Sequence, residues 1–190
     1  MAKKEPERSI EFHGVLGGHV FVWRDAINRL YYNLSEIPDE AKRVGIYPYR
    51  IWAEKMVLSG YNLCLNPFHT ASGYTAIVTT SNTTAGTATA NVAFASGTYD
   101  VAVNYYDMIG GKPRYELFLG NGTVGKWTAD LEDKLGRAPS IYLDEHSATR
   151  ITFRDVKVNR GDMLRIVGTP DGNEPAPIDY VSFSLVGVVD

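Results

Sequence analysis

From residue 49 onward the chain alternates apolar and polar residues in short runs, with Gly, Asn and Asp at the breaks between runs. Such alternation is typical of β-strands with one buried face, and turn signals at intervals of about 8–12 residues are typical of β-sandwiches. The pattern predicts about nine strands in an antiparallel, all-β sandwich of the jelly-roll type. The predicted strands lie at 49–56, 74–80, 90–95, 98–106, 114–119, 123–128, 150–156, 163–167 and 178–186.

The segments between the predicted strands carry either turn chemistry or no readable pattern. Gly110 and Gly111 indicate a hairpin. The stretch 81–89, rich in Thr, Ser, Gly and Ala, predicts a turn or a polar edge. The stretches 129–149 and 169–177 are predicted to be loops.

The first part of the chain has a different period. Residues 9–23 are apolar and punctuated by glycine, which favours strand or loop. Residues 24–34 place apolar groups at helical spacing, which predicts a helix. We therefore predict a short mixed N-terminal extension or linker at 1–46, which docks on a partner or on the sandwich. The β-sandwich is predicted to occupy 47–190.

Composition narrows the classes of partner. The net charge is −3 and no basic run is longer than Lys3-Lys4, whereas a nucleic-acid surface needs clustered Lys and Arg. No apolar stretch approaches the ~20 residues of a membrane span, and no apolar signal-peptide region follows the N-terminus. The single cysteine, Cys64, excludes an internal disulfide and metal sites built on Cys pairs. The sequence therefore predicts neither a nucleic-acid partner nor a membrane.

Catalytic motifs do not stand out. The four histidines lack the spacing of a His-based metal site, and neither a Gly-x-Ser-x-Gly elbow nor a Walker loop occurs. Glycoside hydrolysis needs only two carboxylates flanking a bond, and the chain has 22 acidic residues, so counting alone does not exclude it. We expect that the chain is not an enzyme by itself.

Four segments resemble the β-sandwich carbohydrate-binding modules of the family 6 and family 35 type. These segments are 49–61, GTYDVAVNYYD at 97–107, LFLGNGTVGKW at 117–127 and PIDYVSF at 177–183. The resemblance covers about 47–187 and implies a module appended to a glycoside hydrolase, such as one acting on uronic-acid or branched plant polysaccharides. It also implies an extracellular or periplasmic location.

The opening and closing motifs carry one carboxylate each, Glu54 and Asp179. If the first and last strands of the sandwich are neighbours, these carboxylates meet, and hard oxygen ligands suit a structural Ca²⁺. The alternative is that the two carboxylates are exposed or form ion pairs with arginine. The sequence departs from the family pattern because Trp52 replaces the first glutamate of the opening motif and Pro177 replaces an asparagine before the last strand.

The resemblance implies a sugar site at loops on one end of the sandwich. Trp127 is predicted to be a stacking platform or else a core residue, and Tyr106 to reach the loop edge. Asp107, Asn173 and Glu174 are predicted to bind sugar hydroxyls or else to be solvated loop side chains. A carboxylate-bearing sugar would pair with an arginine, and the sequence does not choose among the candidates, which are Arg114, Arg137, Arg150 and Arg165.

Three functions remain open at this stage. The first is non-catalytic binding of a polysaccharide or oligosaccharide by aromatic stacking and hydrogen bonds, as an accessory to a glycoside hydrolase. The second is a domain or subunit of a glycoside hydrolase that completes or stabilises its catalytic part. The third is an interaction module without a sugar site.

Overall fold

The computed structural model describes residues 10–15, 18–24, 30–31, 49–64, 71, 75–131 and 134–185. The chain divides into two compact units, Met1–Pro48 and Tyr49–Asp190. Among the described residues, no helix is long and apolar enough to cross a membrane.

In the first unit, three strands form an antiparallel sheet in the order β1-β2-β3, and they span Ile10–Val15, Gly18–Arg24 and Leu30–Tyr31. Arg24 pairs with Leu30 across β2 and β3. The helix predicted over 24–34 is therefore wrong at this pair, because strand pairing and the β-propensity of an apolar–aromatic dipeptide outweigh the helical spacing. Residues 25–29 and 32–34 of that prediction lie outside the described residues.

The second unit is a sandwich of two antiparallel sheets, which confirms the predicted fold class. A five-stranded sheet has the order β11-β10-β13-β8-β5, and a six-stranded sheet has the order β12-β9-β14-β7-β6 with β4 also paired to β14. The strands are β4 Arg50–Trp52, β5 Val57–Ser59, β6 Tyr61–Cys64, β7 Ala76–Thr79, β8 Gly86–Asn91, β9 Gly97–Tyr106, β10 Arg114–Leu119, β11 Gly122–Thr128, β12 Ala148–Val158, β13 Met163–Thr169 and β14 Ile178–Leu185.

The first and last strands of the sandwich pair, as the sequence predicts. In the antiparallel ladder between β4 and β14, Val181 lies opposite Ile51 and Ser182 opposite Arg50. A short 3-10 helix, Ala53–Lys55, follows β4 where a continuous strand was predicted. The last strand also pairs with β9 and β7, so it lies inside the six-stranded sheet.

The core lies between the two sheets. Burial alternates along β10, where Tyr115, Leu117 and Leu119 point inward and the intervening residues point outward. Period-two burial of this kind is the reason the strand was visible in the sequence. The inward faces of β9, β13 and β14 complete the core with mostly β-branched, leucine and aromatic side chains.

One strand lies earlier in the chain than predicted. The sequence predicts a turn or polar edge at 81–89 and a strand at 90–95, but β8 spans Gly86–Asn91. The small residues of this segment serve close packing as well as turning. A Cβ at Gly86 would lie 2.5 Å from the ring of Tyr61, so only glycine allows β8 to approach that ring.

Candidate functional site

Three loops meet at one end of the sandwich, and we call this region the loop end. It comprises the β9–β10 loop at 107–113, the β11–β12 loop at 129–147 and the β13–β14 loop at 170–177. Backbone hydrogen bonds join the first two loops, since the amide of Ile109 donates to the carbonyl of Ser140 at 3.0 Å.

Buried carboxylates tie the three loops together. The amide of Met108 donates to Glu174 Oε1 at 2.6 Å, and the amide of Leu131 donates to Asp107 Oδ2 at 2.8 Å. Both carboxylates are 1% exposed. Each one therefore gains a charge-assisted hydrogen bond from a neighbouring loop and holds that loop in place.

Asp171 forms a third junction, at the surface. Its Oδ1 accepts hydrogen bonds from the amides of Asn173 and Glu174, and its Oδ2 accepts one from the amide of Lys112 at 2.6 Å. Burial acts to raise the pKa of Asp171, but these backbone hydrogen bonds outweigh it and lower the pKa below its ordinary value. The ionised form of this carboxylate therefore orders the β13–β14 loop.

The sugar-site residues predicted from sequence do not share one surface. Tyr106, Asp107 and Glu174 are 1% exposed, and the contacts described above for the two carboxylates lie within the protein. Burial, with the charge of Asp179 next in importance, raises the pKa of the Tyr106 phenol, which stays protonated at physiological pH. Asn173 is exposed at the loop end.

Trp127 belongs to an aromatic cluster at the edge of the core. Its indole stacks on Tyr115 with a centroid distance of 5.0 Å and an interplanar angle of 11°, and it contacts Tyr105 and Phe153 at 5.7 and 5.8 Å. One face of the indole is thus covered by Tyr115. The side chain is half-buried and packs against the core between the sheets.

An exposed apolar surface that sequence reasoning missed lies at the loop end. Ile109, Ile141 and Tyr142 are 47%, 64% and 48% exposed, and we call them the apolar shelf. The hydrogen bond from Ile109 to Ser140 brings the two isoleucines from different loops close together. The loop at 129–149 has no periodic pattern, but an adjacent Ile-Tyr pair in a charged loop was a signal for an exposed contact surface.

The turn that carries the shelf is firmly held. Ser140 Oγ donates to Asp144 Oδ2 at 2.8 Å, and Ser147 Oγ donates to the carbonyl of Tyr142 at 2.5 Å. The next residue, Leu143, is 2% exposed and packs with Tyr106 in a small second core. Because Leu143 points inward, its neighbour Tyr142 is held outward.

Polar groups lie directly beside the shelf. An open depression is lined by Tyr142, Asp144, Glu145 and His146. Ligand atoms of the last three lie within 4.8 Å of one another. The depression therefore offers hydrogen-bond acceptors and an imidazole next to an aromatic ring.

The predicted calcium ligands lie elsewhere, at the junction of β4 and β14. Tyr180 pairs with Trp52. Asp179 directly precedes Tyr180, and the 3-10 helix that carries Glu54 directly follows Trp52, so both carboxylates lie next to this pair in the chain. Glu54 Oε2 is buried and has no hydrogen-bond partner within the described ranges. Burial raises the pKa of Glu54, and its own backbone hydrogen bond and Lys55 act in the opposite direction. Asp179 is 7% exposed.

No family model matches the chain. The chain is 60% identical over 174 residues to a probable alpha-glucuronidase A of Aspergillus terreus and 55% identical over 175 residues to alpha-glucuronidase A of Aspergillus tubingensis. Each match covers 91% of this chain and 21% of the relative. The chain therefore spans about a fifth of the length of the curated relatives it matches.

Solved structures share the fold of the second unit. The CBM36-1 domain of a multidomain xylanase from a Trinervitermes trinervoides hindgut metagenome matches with a TM-score of 0.50 and 19% identity, over 73% of this chain and 98% of that one. The GH26-CBM35 β-(1,4)-mannanase of Podospora anserina matches with a TM-score of 0.52 and 17% identity, over 74% of this chain and 28% of that one. The predicted likeness to carbohydrate-binding modules is thus confirmed at the level of the β-sandwich fold.

Proposed function

We propose that the unit at 49–190 is a non-catalytic carbohydrate-binding module that binds plant polysaccharide at the loop end. The observation that carries the proposal is the position of Tyr142. This aromatic ring is 48% exposed, is held outward by a hydrogen-bonded turn and lies beside a polar depression. The sandwich fold shared with carbohydrate-binding modules supports the same function.

The chemistry of the shelf suits a sugar. A flat tyrosine ring packs against the C–H face of a pyranose and loses little conformational entropy on binding. The carboxylates of Asp144 and Glu145 accept hydrogen bonds from sugar hydroxyls, and His146 can donate or accept. Because the surface is open, binding is weak, with a Kd in the micromolar-to-millimolar range and a free energy of roughly −4 to −8 kcal/mol.

The residues predicted from sequence take two roles in this proposal. Asn173, which is exposed at the loop end, contacts sugar hydroxyls through its amide. Tyr106, Asp107, Glu174 and Trp127 act indirectly, because they pack or hydrogen-bond beneath the loops that present the site.

We also propose a structural Ca²⁺ held by Glu54 and Asp179, with backbone carbonyls as further ligands. A buried carboxylate oxygen without a donor is costly, and a hard cation is the partner that best satisfies it. In this role the ion would neutralise the two carboxylates and fix the junction of the first and last strands of the sandwich.

We propose that the chain is part of an alpha-glucuronidase and acts outside the cell on polymeric substrates. The support is the identity of 55–60% to proteins of that name. The match of 174 residues is longer than the second unit, so it extends into the first unit. The unit at 1–48 then belongs to the preceding part of the hydrolase, and the sandwich is its accessory module.

Affinity electrophoresis in gels that contain beechwood glucuronoxylan tests the sugar site. The wild-type chain should be retarded, and Tyr142→Ala should lose most of the retardation, whereas Tyr142→Phe should keep it because the ring remains. Leu63→Ala is the matched control, since this apolar residue is 50% exposed on β6. Equal retardation of Tyr142→Ala and wild type would refute the loop-end site.

A further inference from the structure

The outer face of the five-stranded sheet carries a cationic surface, which begins beside the loop end at Arg114 and runs away from it along β10 and β13. In β10, Arg114, Glu116 and Phe118 alternate with buried residues and therefore point away from the core. In β13, Arg165 points the same way and lies directly opposite Phe118. The face is therefore aromatic and charged.

Arg165 is held in place by an aromatic ring. Its Cζ lies 4.0 Å from the centroid of the Phe118 ring, which is a cation–π contact between neighbouring strands. This contact orders a long side chain without using its N–H groups as hydrogen-bond donors. The conformational entropy that a flexible arginine would lose on binding is thus already spent in the free protein.

The acid on this face is already neutralised. Glu116 Oε2 lies 2.9 Å from Lys126 Nζ on the neighbouring strand β11. Within the described part of the chain, no carboxylate lies within ion-pair distance of Arg114 or Arg165. A protein with a net charge of −3 therefore presents two uncompensated guanidinium groups on one sheet face.

The structure separates these two arginines from the other candidates. Arg137 donates a hydrogen bond to the carbonyl of Ala148 and so has a structural partner. Arg150 lies on β12, in the other sheet, opposite Asn104. Only Arg114 and Arg165, of the four arginines that the sequence offered, share one face.

We propose that this face is a second binding surface, which takes a uronic-acid-bearing polysaccharide. The guanidinium fork matches the two oxygens of a carboxylate, so Arg114 and Arg165 each pair with a uronate. The two arginines are four residues apart along the sheet, or about 13 Å at ~3.3 Å per residue, a distance that linked sugar rings span. Thr89, on the other side of Arg165 from Phe118, adds a hydroxyl for the sugar.

This inference rests on the proposed carbohydrate-binding function, and it is tested on the full chain with a defined pair of polymers. The probes are polygalacturonate and the same polymer after chemical reduction of its carboxyl groups. The double variant Arg114→Ala/Arg165→Ala should bind polygalacturonate about tenfold more weakly at low salt. Each exposed arginine–carboxylate pair is expected to contribute about threefold in affinity, and the variant removes two of them. Arg165→Lys should lose part of that affinity, because the charge stays but the fork is gone.

The matched control is Arg154→Ala, which removes an arginine with a side chain 79% exposed on β12 in the other sheet. It should leave binding unchanged, and wild type should bind the reduced polymer more weakly than the carboxylated one. Equal binding of wild type and the double variant would overturn the proposal, as would an equal loss in Arg154→Ala. Sedimentation in which wild type is a dimer and the double variant is a monomer would also overturn the proposal, since the face would then join two copies of the chain.

The outcome separates this surface from the loop end. If Tyr142→Ala abolishes retardation by glucuronoxylan while the double variant binds polygalacturonate like wild type, only the second surface fails. If wild type binds no polysaccharide at all, both proposals fail. Because both arginines are exposed, melting temperatures of the variants should match wild type, and this confirms that lost binding is not lost folding.

Discussion

Tyr180 in the last strand lies directly opposite Trp52 in the first strand of the sandwich, and the guanidinium of Arg50 lies 3.9 Å from the centroid of the Tyr180 ring. This contact adds to the strand pairing between β4 and β14. Glu54 lies two residues after Trp52, in the 3-10 helix, and Asp179 lies one residue before Tyr180. The proposed calcium site therefore depends on the pairing that closes the sheet.

Chelation should lower the melting temperature of the wild-type chain. A ligand that binds only the folded state stabilises it by about 2.7 kcal/mol at a hundred times its Kd. Glu54→Gln should abolish the response to EDTA, because the amide lacks the charge that holds the ion. Differential scanning calorimetry with and without EDTA measures both effects. A wild-type melting temperature that chelation leaves unchanged would refute the proposed calcium site.

Trp127→Ala should destabilise the fold by about 2–3 kcal/mol, less than a fully buried tryptophan, because it removes the half-buried indole from the cluster with Tyr115, Tyr105 and Phe153. Trp127→Phe should keep most of the stability and most of the glucuronoxylan retardation. Urea unfolding and affinity electrophoresis provide the two measurements. Lost binding in a stable Trp127→Phe variant would instead make the indole a direct sugar contact.

Leu143→Ala should weaken sugar binding without touching the sugar. Leu143 is 2% exposed and anchors the turn that presents Tyr142, so its truncation should cost about 2–3 kcal/mol and loosen the shelf. Leu63→Ala, at an exposed position, should change stability by less than about 0.5 kcal/mol. Full retention of glucuronoxylan binding by a destabilised Leu143→Ala variant would contradict the anchoring role.

Acid should loosen the β13–β14 loop before the core unfolds. The folded-state pKa of Asp171 lies below its ordinary value of 3.8, so its contribution to stability is present above that value and is lost as the pH falls through the folded-state pKa. Protection of the amides of Lys112 and Asn173, measured as the hydrogen-exchange rate relative to the intrinsic rate at the same pH, should therefore fall in acid. At neutral pH, Asp171→Asn should show the same loss of protection, and unchanged protection in that variant would be evidence against this junction.

The sheet could be predicted from sequence because its strands bury alternate residues. In β10, Tyr115, Leu117 and Leu119 point inward, and the sequence shows the same alternation as apolar residues at every second position. The prediction places β8 too late in the chain, because Gly86 and its small neighbours read as a turn in the sequence. In the structure, Gly86 has no side chain so that β8 can approach the ring of Tyr61. Local composition does not separate these two causes.

The site was harder to predict, because exposure in loops depends on contacts between distant segments. Asp107 and Glu174 are polar and lie in loops, yet they are buried because each accepts a hydrogen bond from a backbone amide of another loop. Tyr142 lies in a stretch without periodicity, and its outward position depends on Leu143 packing against Tyr106. These relationships exist only in the folded chain.

The last strand is held between β9 on one side and β4 and β7 on the other. During synthesis from the N-terminus, the β12-β9 pair cannot join the β7-β6 pair in one sheet until residues near 185 have left the ribosome. Completion of the six-stranded sheet therefore waits for its last strand, and the apolar faces of the earlier strands stay exposed until that strand arrives.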